Sequence, residues 1–114
     1  MNPAGDRIAA LRALRDGPRD GALLRFALGR ALLDAGDAAA AAPEFERAIG
    51  FDPAYSAAWQ GLGEALAAAG RFVDAIAAYE RGIAAAESRG DVQAAKVMHV
   101  RRRRLQITWR TPSL

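Results

Sequence analysis

Apolar residues recur at helical spacing along nearly the whole chain, and the pattern copies itself. Laid over itself with Leu28 on Leu62, the sequence matches without a gap: Leu28-Gly29 falls on Leu62-Gly63, Ala31-Leu32 on Ala65-Leu66, Gly36 on Gly70, Ala41 on Ala75, Phe45 on Tyr79 and Ile49 on Ile83. An apolar stripe at i, i+3, i+4 and i+7 is the signature of an amphipathic helix. The stripes predict two helical hairpins, 22–35 with 39–51 and 55–69 with 72–88. Gly36 and Gly70 follow the first helix of each pair as stop signals. Asp52-Pro53 ends the first hairpin, because the residue before a proline is pushed out of the helical region. Ser88-Arg89-Gly90-Asp91 ends the second.

One further helix is predicted on each side. Residues 4–16 set Ile8, Leu11 and Leu14 on one stripe, and Asp16-Gly17-Pro18 stops it. Residues 91–109 form the last helix, and Pro112 bars its extension. Pro43 conflicts with the third-helix pattern. Its missing N–H costs little in a first turn, so a helix starting near Ala40 would carry it; an earlier start predicts a kink.

The periodic residues resemble the tetratricopeptide repeat, whose pattern is W-x2-L-G-x2-Y…A-x3-F…P in units of about 34 residues. The second unit has Trp59, Leu62, Gly63, Leu66, Ala75 and Tyr79. The first has Leu28, Gly29, Leu32, Ala41, Phe45 and Pro53, with Arg25 in the tryptophan position. Glu87 stands where the second unit's final proline belongs. The resemblance implies an all-α fold, a right-handed stack of about six antiparallel helices. It implies one domain over 1–114: a capping helix 4–16, repeats 22–55 and 56–89, and a basic capping helix 91–109. Hairpins cannot bury their apolar faces alone, so flanking helices with polar outer faces suit the ends. Leu28, Leu32, Phe45, Trp59, Leu62, Leu66, Tyr79 and Ile83 are the expected core. Gly29 and Gly63 are expected to face Ala41 and Ala75, with Ala48 and Gly82 between hairpins.

In this family the first helix of each hairpin lines a groove for an extended peptide or a helix. By position the groove residues here are Leu23, Phe26, Arg30, Leu33 and Asp34, then Ala57, Gln60, Glu64 and Ala67, with Met98 from the last helix. Some relatives grip a peptide carboxylate with lysine, asparagine and arginine. Those positions hold Phe26, Arg30 and Glu64, so that clamp is broken. The partner expected is an unidentified protein or peptide with an apolar segment.

Composition and charge change this picture in two places. The chain is 52% apolar, dominated by alanine, the best helix former. Alanine excess and a single lysine against many arginines point to GC-rich, bacterial coding DNA. Net charge is +3, but residues 1–95 hold ten arginines against thirteen acids, while 96–114 hold six cations and no acid. The basic helix carries Lys96, Arg101, Arg102, Arg103 and Arg104. Helical residues turn about 100° apart, so Arg101 and Arg104 share a side while Arg102 and Arg103 splay away. Two alternatives follow: anion or nucleic-acid binding through this helix, and self-assembly into a homo-oligomer.

No chemistry is expected. Without cysteine there is neither a disulfide nor a thiolate metal site, and His99 is the only histidine. Ser56, Ser88, Thr108, Thr111 and Ser113 lack an aligned base, and Ser56 suits a helix start. No enzyme activity, catalytic residue, metal or cofactor is expected. No apolar run is long enough to span a membrane, and no secretory signal is evident, so a cytoplasmic address is expected.

Overall fold

The computed structural model describes residues 2–110, with side chains to Thr108. Six helices follow one another: α1 (Pro3–Ala13), α2 (Ala22–Asp34), α3 (Ala38–Phe51), α4 (Ser56–Ala68), α5 (Phe72–Ser88) and α6 (Val92–Arg110). The described residues contain no strand. The molecule measures 47 × 34 × 19 Å, and its shortest dimension is that of two helix layers. Each helix packs on the next along the chain, and α2, α4 and α6 also touch in series, α2 on α4 and α4 on α6. These three helices form one wall of the slab. Pro112 and its stop lie outside the described residues.

The same turn is used three times. Gly36, Gly70 and Gly90 have φ of +86°, +79° and +72°, a conformation in which a Cβ would crowd the following carbonyl. The next residue reaches back five positions in each case: Asp37 N donates to Leu32 O, Arg71 N to Leu66 O, and Asp91 N to Ala86 O. Two of those residues then start the following helix. The Asp37 carboxylate accepts from Ala40 N, and Asp91 from Ala94 N, each at 3.1 Å. The α5–α6 link is thus built like the turns inside the hairpins. Ser56 is the first residue of α4 and Tyr55 its N-cap, with no side-chain capping bond.

The core follows the repeat pattern. Leu28, Phe45 and Met98 are the largest fully buried side chains, and Leu32, Trp59, Leu62, Leu66, Tyr79 and Ile83 are buried around them. Gly29 and Gly63 each sit against an aromatic ring. A Cβ on Gly29 would meet the Phe45 ring at 2.9 Å, and one on Gly63 would meet the Tyr79 ring at 2.5 Å. These glycines make room for aromatic rings. Gly61 does the same for Phe45 from the neighbouring hairpin. One ring therefore fills hollows on both α2 and α4.

α3 starts at Ala38, so Pro43 sits in the helix interior and removes a bond to the Ala39 carbonyl. Both residues are exposed, so water can solvate that carbonyl. Pro43→Ala should restore the bond and raise stability by roughly 2 kcal/mol, read as a higher urea midpoint at an unchanged slope.

α1 ends at Ala13, short of the expected Asp16. Asp16 adopts φ +65° and its N–H donates to Asp20 Oδ2 at 2.8 Å, so the chain leaves the helix to close this loop. The loop serves an ionic cluster around Arg25. Arg25 Nε and Nη2 each donate to Asp20 at 2.8 Å, and Nη1 donates to Glu44 Oε1 at 3.1 Å. Arg15 takes the other Glu44 oxygen at 2.9 Å. Arg25, Asp20 and Glu44 are each less than a tenth exposed. Trp59 occupies the equivalent position one repeat later and ties to the preceding loop through Nε1 to Pro53 O, 2.8 Å. Arg25 makes the same kind of tie with charge, and Glu44 extends it to α3.

Candidate functional site

α2, α4 and α6 lie side by side, so equivalent positions on them form rows across the wall. Repeat spacing aligns Arg30 on α2 with Glu64 on α4, and Arg101 on α6 joins them in one row. Glu64 is the centre of it. Its Oε2 accepts from Arg30 Nη2 at 3.1 Å, and its Oε1 lies 3.3 Å from Arg101 Nη1 and 3.4 Å from Gln60 Nε2. Arg30 also holds Asp34 one turn along α2, at 3.2 Å. Burial alone would lower the Arg30 guanidinium, but the hydrogen bond and charge of Glu64, then of Asp34, outweigh it and leave it raised. Tyr79 is raised above its usual range by burial, against the opposing influence of the adjacent Arg101.

The apolar groove residues separate by exposure. Leu23 is 73% exposed, near the start of α2. Phe26 is half-buried, its ring 5.8 Å from Phe45 and 5.1 Å from Tyr55. Leu33 and Ala67 are partly buried against the core, and Ala57 and Asp34 are exposed. Met98 corrects the expectation. It is fully buried, set against Gly82 and Trp59, and is a core residue that no partner can touch in this arrangement. α5 is 17 residues long against 14 for α3. α6 starts from the end of this longer helix, and its buried side carries Ala95 and Met98.

Sequence reasoning did not place Arg101 here. It read Arg101 as part of the basic helix, whereas the structure turns it in toward Glu64. The rows made by the repeat spacing do not include α6, so nothing in the repeat pattern announces this contact. Arg102 points elsewhere, its Nη1 3.8 Å from Glu80 on α5 and its Nη2 3.4 Å from the exposed His99. Lys96, Arg103 and Arg104 are exposed. Two of the four consecutive arginines thus face acids on the repeat helices.

Among the described residues no group of three or more His, Asp or Glu side chains converges as a metal site would require. Their helices include none long and apolar enough to cross a membrane. The wall can offer hydrogen bonds, charge of both signs and an apolar edge.

The tetratricopeptide repeat family matches this chain at residues 32–97 and, through a second model, at residues 7–56. The TPR repeat-containing protein PA0015 of Pseudomonas aeruginosa is 51% identical over 86 residues, which are 75% of this chain and 82% of that protein. Among solved structures, protein BPP2914 from Bordetella parapertussis is 40% identical, with a TM-score of 0.78 over 95% of this chain and 91% of that one. A tetratricopeptide repeat domain protein from Salinibacter ruber shares the fold, at 24% identity and a TM-score of 0.74 over 87% and 99% of the two chains. Two units in phase without a gap, the glycine-and-ring packing and a half-identical bacterial relative converge: the chain belongs to the tetratricopeptide repeat family.

Proposed function

We propose that this chain is a non-catalytic, cytoplasmic interaction module that binds an extended peptide or a helix along the α2–α4–α6 wall. Tetratricopeptide repeats in general mediate protein–protein interaction, which supports the class. The observation that carries the specific reading is the asymmetry of the wall. Leu23 stands exposed beside half-buried Phe26, with Leu33 two turns further along α2, next to a polar row whose members already hold one another. A partner would cover the apolar edge and meet a surface in place beforehand, so little ordering would be needed on this side. Arg30 is engaged by Glu64 and Asp34, so a carboxylate would have to displace a carboxylate. That disfavours a grip on a peptide's C-terminus and favours apolar contact as the source of affinity.

The test is Leu23→Glu. Leu23 lies in the first turn of α2, where an acidic side chain suits the helix dipole, so the melting temperature should not fall. A partner retained by the wild-type chain in affinity capture should be retained about tenfold less by the variant, the loss of one buried apolar anchor. Full retention would remove the wall from consideration. Phe26→Glu is the poorer test, because Phe26 packs on Phe45 and Tyr55 and its replacement would disturb the fold itself.

A further inference from the structure

The outer side of α6 is a second surface that meets the wall at Arg101. Lys96, Val97, Val100, Arg101 and Arg104 border one shallow depression, and their spacing sets them along one side of the helix. The opposite side carries the buried Ala95 and Met98. Among the described residues α6 packs only on α4 and α5, so nothing there covers the outer side. Val97 and Val100 are 37% and 52% exposed. Lys96, Arg103 and Arg104 flank them, and none has an acidic partner among the described residues, unlike Arg101 and Arg102.

We propose that this surface docks an acidic amphipathic helix of a partner protein. An apolar strip edged by cations is matched by an apolar strip edged by carboxylates. α6 is a ridge about 28 Å long at 1.5 Å per residue, long enough for a partner helix to pack along it. A second copy of this chain fits poorly. The exposed α1 carries Arg7 and Arg12 against the single Asp6, and two of the three acids on α5, Asp74 and Glu80, already face Arg71 and Arg102. A phosphate backbone fits poorly as well. Two of the four consecutive arginines are turned to acids, and valines occupy the middle of the strip, where phosphates would gain nothing.

The experiment uses the full chain and a labelled synthetic helix of about three heptads, leucine at a and d, glutamate at e and g. Three further probes accompany it: the same peptide with lysine for glutamate, a scrambled isomer lacking the stripe, and a single-stranded oligonucleotide. Fluorescence anisotropy should show the acidic amphipathic peptide binding at least about tenfold more tightly than the lysine and scrambled forms. The double variant Val100→Glu/Arg104→Glu should weaken it by about tenfold or more, and Leu23→Glu should leave it unchanged. Both altered side chains are exposed, and circular dichroism verifies that helix content is kept. Four results would overturn the proposal: equal binding of the acidic and lysine peptides, loss through Leu23→Glu alone, tighter binding of the oligonucleotide, or self-association that the double variant abolishes. Retention of the α2–α4–α6 reading depends on Leu23 and is decided separately.

Discussion

Replacing Arg25 with alanine is expected to lower stability by about 3 kcal/mol, the lower end for removing one partner of a buried ion pair. The cost comes from what remains. The Glu44 and Asp20 side chains are each less than a tenth exposed, and without the guanidinium both would keep their burial, Asp20 losing its main donor and Glu44 keeping only Arg15. Urea unfolding at neutral pH measures the effect. Arg25→Trp, which installs the family's residue, should not rescue it, since indole offers one N–H where all three guanidinium nitrogens donate. Pairing Arg25→Trp with Glu44→Leu should recover only part of the loss, because the acid on α3 no longer needs a cation while Asp20 still lacks its guanidinium.

The same cluster fixes a pH response. Asp20 is held well below its ordinary value of 3.8, first by its hydrogen bond from Arg25 and then by the Asp16 and Gly21 amides. A carboxylate depressed in the fold contributes stability that is complete above its unfolded value and is lost as pH falls toward the folded one. The gap between wild type and Arg25→Ala should therefore be full at neutral pH and narrow at roughly pH 3. A gap that stays constant would mean that the Asp20 pairing contributes nothing.

Gly61→Ala is expected to cost about 2 kcal/mol, the balance of two opposed effects. Helix propensity favours alanine by about 1 kcal/mol, while overpacking a tight core costs up to about 3 kcal/mol. The added Cβ would lie well inside 3.0 Å of three ring carbons of Phe45. That ring is fully buried and is also pressed by Gly29, so it has nowhere to retreat. Phe45→Leu in the same chain should make the two changes cost clearly less than their sum, since the collision disappears with the ring. Strict additivity in unfolding measurements would show that the ring moves aside easily.

These two sites differ in how far the sequence announces them. Phe45, Gly29 and Gly63 recur at the repeat spacing, so their burial follows from repetition. What repetition cannot give is the partner of each glycine: α-carbon spacing is the same whether a ring or an alanine methyl approaches, and only the packed helices decide. Arg25 is visible as a departure, a cation in a tryptophan position. Its partners are not visible, because Asp20 lies in a loop and Glu44 lies on another helix, beyond a turn. For the wall, Leu23, Phe26, Arg30, Gln60 and Glu64 follow from register on α2 and α4. Met98 and Arg101 do not, because α6 lies outside the repeat register.

Alanine-rich helix faces are smooth, and smooth faces can slide. The charges of Arg30, Glu64 and Arg101 alternate across three neighbouring helices. Moving α4 by one turn would carry Glu64 about 5.4 Å away from both arginines at once and leave the two cations without their shared acid. The row thus acts as a set of teeth that fixes how far each helix stands along its neighbour, a job that larger side chains perform in richer cores. On this view the row's value lies in choosing one alignment over its near competitors, with little added to the strength of the chosen one.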